Sequence, residues 1–275
     1  MARASMSSSS LQEQSSAGQL LARPGAWVDL GLTLPIFLIY QIAVVFIGVQ
    51  NATDMVTGQL LRLTSGDREV YLIATFAIGA AFAVAFMLLG RGQAFQPRKF
   101  MQIAIEGIVY AVVMRLAASY LVGRILAGTI KDQGRFVGFI MSLGAGFYEE
   151  LAFRVLLFGL GAKILVWLFA REQVVLTGTS EVFAGAASAR TPGTPSTTTR
   201  TSKAGAAMIM LAWAIVCAMI FSGVHYIGPM GDTFDMASFL FRAMLGLALT
   251  LIYVTRGFAA AVWTHAVYDV WVLVF

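Results

Sequence analysis

The chain has 275 residues, 59% hydrophobic and only 12% charged, where a soluble domain carries about 25% charged residues. So small a polar fraction excludes an ordinary soluble globular protein and makes lipid the natural solvent. The net charge of +5 does not call for nucleic acid as a partner. The basic residues lie mostly between apolar segments, where they read as topology determinants and contacts to anionic lipid headgroups.

Residues 1–28 are rich in Ser, Gln and Ala and read as a disordered polar tail. Seven apolar segments follow, at 29–50, 70–90, 103–126, 136–169, 205–224, 237–254 and 258–275. A crossing helix needs about 20 apolar residues. The first run is too long for a signal-peptide core and reads as a retained anchor. The fourth, at 34 residues, reads either as one long tilted helix or as two helices broken near Gly144 and Gly146. The fold class expected is all-α, a polytopic transmembrane helix bundle of seven or eight membrane segments, with 29–275 as one domain. The loop at 171–204 is rich in Thr, Ser, Gly and Pro and is expected to be flexible and solvent-exposed. In a seven-span frame, ten basic residues lie on the N-terminal side and five on the other. This bias predicts a cytoplasmic N-terminus, in what we expect to be a bacterial plasma membrane. The lone Cys217 can form no internal disulfide.

Several segments carry groups that lipid rejects. Arg115 lies mid-segment in the third; Glu149, Glu150 and Arg154 lie in the fourth; His225 closes the fifth; His265 and Asp269 lie in the last. A charge at a helix centre costs roughly 2.5–3.5 kcal/mol on insertion scales, so intramembrane ionisable residues point to function by default. Residues i and i+4 share a helix face, which pairs Glu150 with Arg154, Phe221 with His225, and His265 with Asp269. On an α-helix Glu149 points about 100° away from Glu150, towards a different partner. Each feature also has a structural reading: an ion pair for Glu150–Arg154, a headgroup position for His225, a helix-packing contact for His265–Asp269. Arg115 needs a carboxylate, with Glu150 and Asp269 as candidates. Glu106 reads as interfacial, and Lys163 and Arg242 lie near enough to segment ends to snorkel.

In chain order, "EELAFR" (Glu149 to Arg154), "FSGVH" (Phe221 to His225) and "HAVYD" (His265 to Asp269) resemble the EExxxR, FxxxH and HxxxN/D motifs of the intramembrane CAAX-prenyl-protease-like endopeptidases, the CPBP or Abi family. The resemblance covers about 136–275. It implies an all-helical membrane endopeptidase acting on membrane-associated or lipid-modified protein substrates, prenylated CAAX-type proteins among them. It further implies that Glu149 activates water, that His225 assists, that His265 and Asp269 flank the scissile carbonyl, and that Glu150 and Arg154 are the supporting pair. Asp269 stands where many members have Asn. An ionised carboxylate repels an oxyanion, so this residue must be protonated, orient His265 or bind a metal.

Two histidines with Glu149 and Asp269 suit zinc by ligand type, although no HExxH arrangement is present. Metal-free glutamate catalysis is the favoured expectation and zinc the alternative. Two other functions compete: a catalytically silent membrane scaffold or immunity-type protein, and a proton-coupled transporter, whose paired broken helices in two similar halves are not visible.

Overall fold

The computed structural model describes residues 25–89, 97–122, 134–176, 196–228 and 231–275. The first crossing joins α1 (Ala26–Gly31) to α2 (Leu34–Ile47). Pro35 stands in the first turn of α2, where its missing N–H costs nothing, and Gly48 closes that helix at a φ of 70°. A short helix missed in the sequence, α3 (Met55–Leu63), follows. Asp54 caps it by accepting from the backbone N–H groups of Val56 and Thr57. Then come α4 (Arg68–Leu89) and α5 (Pro97–Val122). The expected polar tail is shorter than 1–28, because α1 already begins at Ala26; residues 1–24 lie outside the described residues.

The long fourth segment is one unbroken 35-residue helix, Arg135–Phe169. It opens as α6 (Arg135–Gly144), takes π geometry over Ala145–Glu149 and Leu151–Leu160, and closes as α7 (Gly161–Phe169). The two glycines suspected of breaking it serve close packing instead. A side chain on Gly144 would run into Tyr40, and one on Gly146 into Ala266 and the Val262 carbonyl.

The two ends of the loop expected to be unstructured pair as an antiparallel ribbon, β1 (Arg171–Leu176) with β2 (Ser196–Thr201), in register Arg171 to Thr201. This corrects the expectation at those ends, where Val174 and Val175 supply β-favouring residues opposite a run of threonines. Residues 177–195 lie outside the described residues.

The ribbon leads into α8 (Lys203–Gly223), whose last turn tightens to a 3₁₀ helix at Val224–Tyr226, then α9 (Met236–Arg256) and α10 (Phe258–Val274). Among the described residues, six helical segments are long and apolar enough to cross a membrane; α10, with 17 residues, is a shorter apolar helix. The chain is thus a polytopic helical membrane protein. The large apolar side chains exposed on the outer faces, such as Ile73, Met87 and Leu251, are those lipid would cover.

The shortest of these helices is the most enclosed. Ala259, Ala260, Ala261 and Val262 of α10 have no exposed surface. With little hydrophobic drive between helices in lipid, close approach depends on small residues. Gly107 of α5 meets α10 at Trp263 and Thr264, and Gly138 and Gly146 meet it at Leu273 and Ala266. The carboxylate of Asp29 reaches across from α1 to accept from the first backbone N–H groups of α10, those of Phe258 and Ala259, at 2.5 and 2.7 Å. A Cβ at position 146 would stand 2.7 Å from the Ala266 Cβ. Gly146→Val is therefore expected to lose at least ~1–3 kcal/mol through overpacking, read as a lowered thermal midpoint in detergent; an unchanged midpoint would show that the two helices separate freely here.

Candidate active site

Glu149 ends the first π-helical stretch, and Glu150 stands between it and the second. Hydrogen bonds from i to i+5 widen the turn, so consecutive residues are separated by a smaller angle than on an α-helix. Glu149 and Glu150 both approach one ring of α10: Glu150 Oε1 lies 2.7 Å from His265 Nδ1, and Glu149 Oε2 lies 4.0 Å from His265 Nε2. Single turns of π geometry recur at functional sites, and here the geometry surrounds both carboxylates.

The deeper layer is fully enclosed. Glu150 has no exposed surface and Arg154 about 1%. Arg154 Nη1 lies 3.0 Å from Glu150 Oε1, the i,i+4 pair read from the sequence. The same oxygen accepts from His265 Nδ1 at 2.7 Å. Arg154 also donates from Nη2 to the Gly246 carbonyl at 3.3 Å and lies over the Phe221 ring, 4.3 Å from its centroid. A side chain at Gly246 would come within 3.0 Å of Phe221, so glycine there keeps α9 against α8. Phe221 touches both histidine rings edge-on, at centroid distances of 5.2 Å to His225 and 6.0 Å to His265.

The outer layer is partly exposed. Glu149 Oε2 lies 4.0 Å from His225 Nε2 and 4.0 Å from His265 Nε2. It is buried without a hydrogen-bond partner among the described residues. His225 stands in the 3₁₀ turn after α8 with its Nδ1 2.8 Å from the Phe221 carbonyl oxygen. That nitrogen must donate, so Nε2 is the one turned towards Glu149. Asp269 Oδ2 lies 3.5 Å from His265 Nε2, on the side of the ring opposite Glu150. Of the two carboxylates, Glu150 is the one that holds His265 at true hydrogen-bond distance. The six polar residues of the three motifs, Glu149, Glu150, Arg154, His225, His265 and Asp269, converge on one small polar hollow between the π stretch, α8 and α10.

Asn51 also reaches the hollow, and no motif announces it. Its Nδ2 donates to Glu149 Oε1 at 3.0 Å from the loop between α2 and α3. A second buried network lies alongside: Gln41 donates to the Tyr148 hydroxyl at 2.7 Å and accepts from Thr57 Oγ1 at 2.7 Å. An isolated Asn in a short polar loop carries no spacing signal; the nearest hint is the helix-capping Asp54 just beyond it, which marks the loop as ordered.

The expectation for Arg115 is revised. Arg115 pairs with neither Glu150 nor Asp269; its guanidinium lies 5.1 Å from the centroid of Trp271, a cation–π contact. Glu106 is bound on both oxygens by Arg256, at 2.9 and 2.6 Å. Arg242, read as snorkelling, is held by Asp232 at 2.5 Å and lies over Tyr226.

By type, Glu149, His225, His265 and Asp269 are donors that zinc accepts. Bonds of ~2.1 Å at tetrahedral angles would hold neighbouring donors about 3.4 Å apart. The 4.0 Å from Glu149 Oε2 to either histidine is wider. Among the described residues, no three His, Cys, Asp or Glu side chains are arranged to hold a metal ion. A water molecule hydrogen-bonded at ~2.8 Å to both atoms also fits between atoms 4.0 Å apart.

Comparison with curated proteins and with solved structures gave no match. The family model described as type II CAAX prenyl endopeptidase Rce1-like matches residues 132–271, just over half of the chain and inclusive of all three motif segments. With the buried carboxylate–histidine cluster lying inside that stretch, the chain belongs to the Rce1-like family of type II CAAX prenyl endopeptidases.

Proposed function

We propose that this chain is an intramembrane endopeptidase that hydrolyses a peptide bond of a membrane-associated, prenylated CAAX-type substrate, with Glu149 as general base. The observation that carries the reading is the Oε2 atom of Glu149, buried without a partner and equidistant, at 4.0 Å, from two histidine nitrogens. A water there hydrogen-bonds to Glu149 and to the Nε2 lone pair of His225, whose tautomer the Phe221 carbonyl sets.

Glu149 removes one proton as the water oxygen bonds to the scissile carbonyl carbon, and the carbonyl π electrons move to its oxygen. The resulting oxyanion faces His265 Nε2. Because Nδ1–H is given to Glu150, His265 can offer an Nε2–H only as the imidazolium, a form with a carboxylate acceptor on each side. Collapse of the intermediate breaks the C–N bond, and the proton held by Glu149 passes to the leaving amine. Arg154 pairs with Glu150, and Glu150 keeps His265 in place.

A farnesylated peptide ending in Cys-aliphatic-aliphatic-X, incubated with the purified protein in lipid nanodiscs, is expected to release the C-terminal tripeptide, detected by mass spectrometry. Intact peptide at all times would overturn the reading in favour of a silent scaffold. We further expect the initial rate to persist in excess EDTA or phenanthroline. A loss restored by added zinc would put the metal-bound water back in place of the base-activated one.

A further inference from the structure

All four hydrogen-bonding groups of Asn51 are engaged. Its N–H donates to the Tyr40 hydroxyl at 2.9 Å, and its carbonyl accepts from the Asp54 N–H at 3.0 Å. Its side-chain oxygen accepts from both the N–H and the hydroxyl of Thr53, at 2.8 and 2.6 Å. Only the Nδ2 group is left to face the hollow, where it donates to Glu149 Oε1 at 3.0 Å. The loop is itself fastened: Tyr40, with no exposed surface, donates to Asp54 Oδ2 at 2.9 Å while Asp54 caps α3. The backbone N–H of Thr53 settles which way the amide points, since a flipped amide would set its own N–H against that donor and its oxygen against the Glu149 carboxylate.

We infer that Asn51 is a positioning residue for the catalytic base: it holds Glu149 by one oxygen, so that the other is turned to the two histidines. It acts from a loop outside the stretch of the chain that the family model matches, so the N-terminal helices complete the site rather than merely surround it. The inference rests on the reading of Glu149 as the base. Its physical basis is preorganisation. A carboxylate that rotates freely about its last bond spends part of its time with neither oxygen aligned on water, and a misplacement of about 1 Å costs on the order of 10²-fold in rate.

The discriminating variant is Asn51→Asp. It keeps the size, the backbone bonds and the oxygen that accepts from Thr53, and exchanges only the donor for an oxygen facing Glu149. With the farnesylated CAAX peptide in nanodiscs, kcat is expected to fall roughly 10–100-fold at neutral pH, with KM within about twofold because Asn51 does not touch substrate. The introduced carboxyl can donate to Glu149 only while protonated, so the ratio of variant to native kcat is expected to rise as pH is lowered. His225, His265 and Asp269 around Glu149, and Tyr40 and Asp54 around position 51, are common to both proteins, so the ratio isolates the substituted group. Asn51→Ala is expected to show the same loss of kcat without the recovery at low pH. Assays run below the thermal midpoint of each variant, where each is folded. A kcat near the native value for both variants, or a loss confined to a raised KM, overturns the inference while leaving Glu149 as the base. Native activity in Glu149→Gln would instead remove the reading on which the inference rests.

Discussion

Replacing Glu149 by Gln is expected to reduce peptide cleavage by about 10²–10⁴-fold, the range that a general base supplies, without disturbing assembly of the bundle. The substituted amide has the shape of the carboxylate, and its oxygen can still accept the 3.0 Å bond from Asn51. What it lacks is a site to take a proton from water. Its other end then presents N–H to the nitrogens of His225 and His265, each 4.0 Å from the native oxygen. The thermal midpoint is expected to stay at the native value or rise, since a buried oxygen without a partner is replaced by a neutral group. The control is Arg98→Ala, at an exposed position in the first turn of α5, which should cleave normally. Turnover at the native rate in Glu149→Gln would place the base elsewhere.

The largest loss of stability is expected from Arg154→Met. Arg154 and Glu150 are both fully enclosed, so removing the guanidinium leaves a carboxylate with only His265 to answer it. Breaking one side of such a buried pair typically costs about 3–5 kcal/mol, whereas replacing both partners with neutral groups of similar volume is often close to neutral. The double variant Arg154→Met with Glu150→Gln is accordingly expected to recover much of the thermal midpoint in detergent. It is not expected to recover activity, because the amide no longer gives His265 a charged partner at Nδ1. Recovery of both would mean that the pair is structural and that His265 needs no charged partner.

Much of the hollow is legible in the sequence, and the reason is energetic. Ionisable groups are costly in an apolar segment, so Glu149, Glu150, Arg154, His225, His265 and Asp269 stand out against their surroundings. The i,i+4 spacing of Glu150 with Arg154 and of Phe221 with His225 translated directly into the contacts found. The same reasoning misled for Arg115, where the need for a partner was read as a need for a carboxylate. An aromatic face also accommodates a guanidinium, and Trp271 is indistinguishable in sequence from a lipid-facing ring.

Asn51 was illegible for the opposite reason. A polar residue in a polar loop costs nothing where it stands, so nothing marks it until the loop is folded against Glu149. The π geometry was hidden too, because "FYEELAFRVLLFG" is equally compatible with an α-helix. Local composition and spacing alone therefore determined a helical membrane protein, the positions of its segments, and which side chains lipid would reject. Only the tertiary structure decided that the short α10 is the enclosed centre, which oxygen of each glutamate faces which histidine, and that a distant loop closes the site. Those outcomes depend on close approach between helices far apart in the chain, and the side chains that permit it are mostly glycines and alanines, which have no polar chemistry to announce the contact.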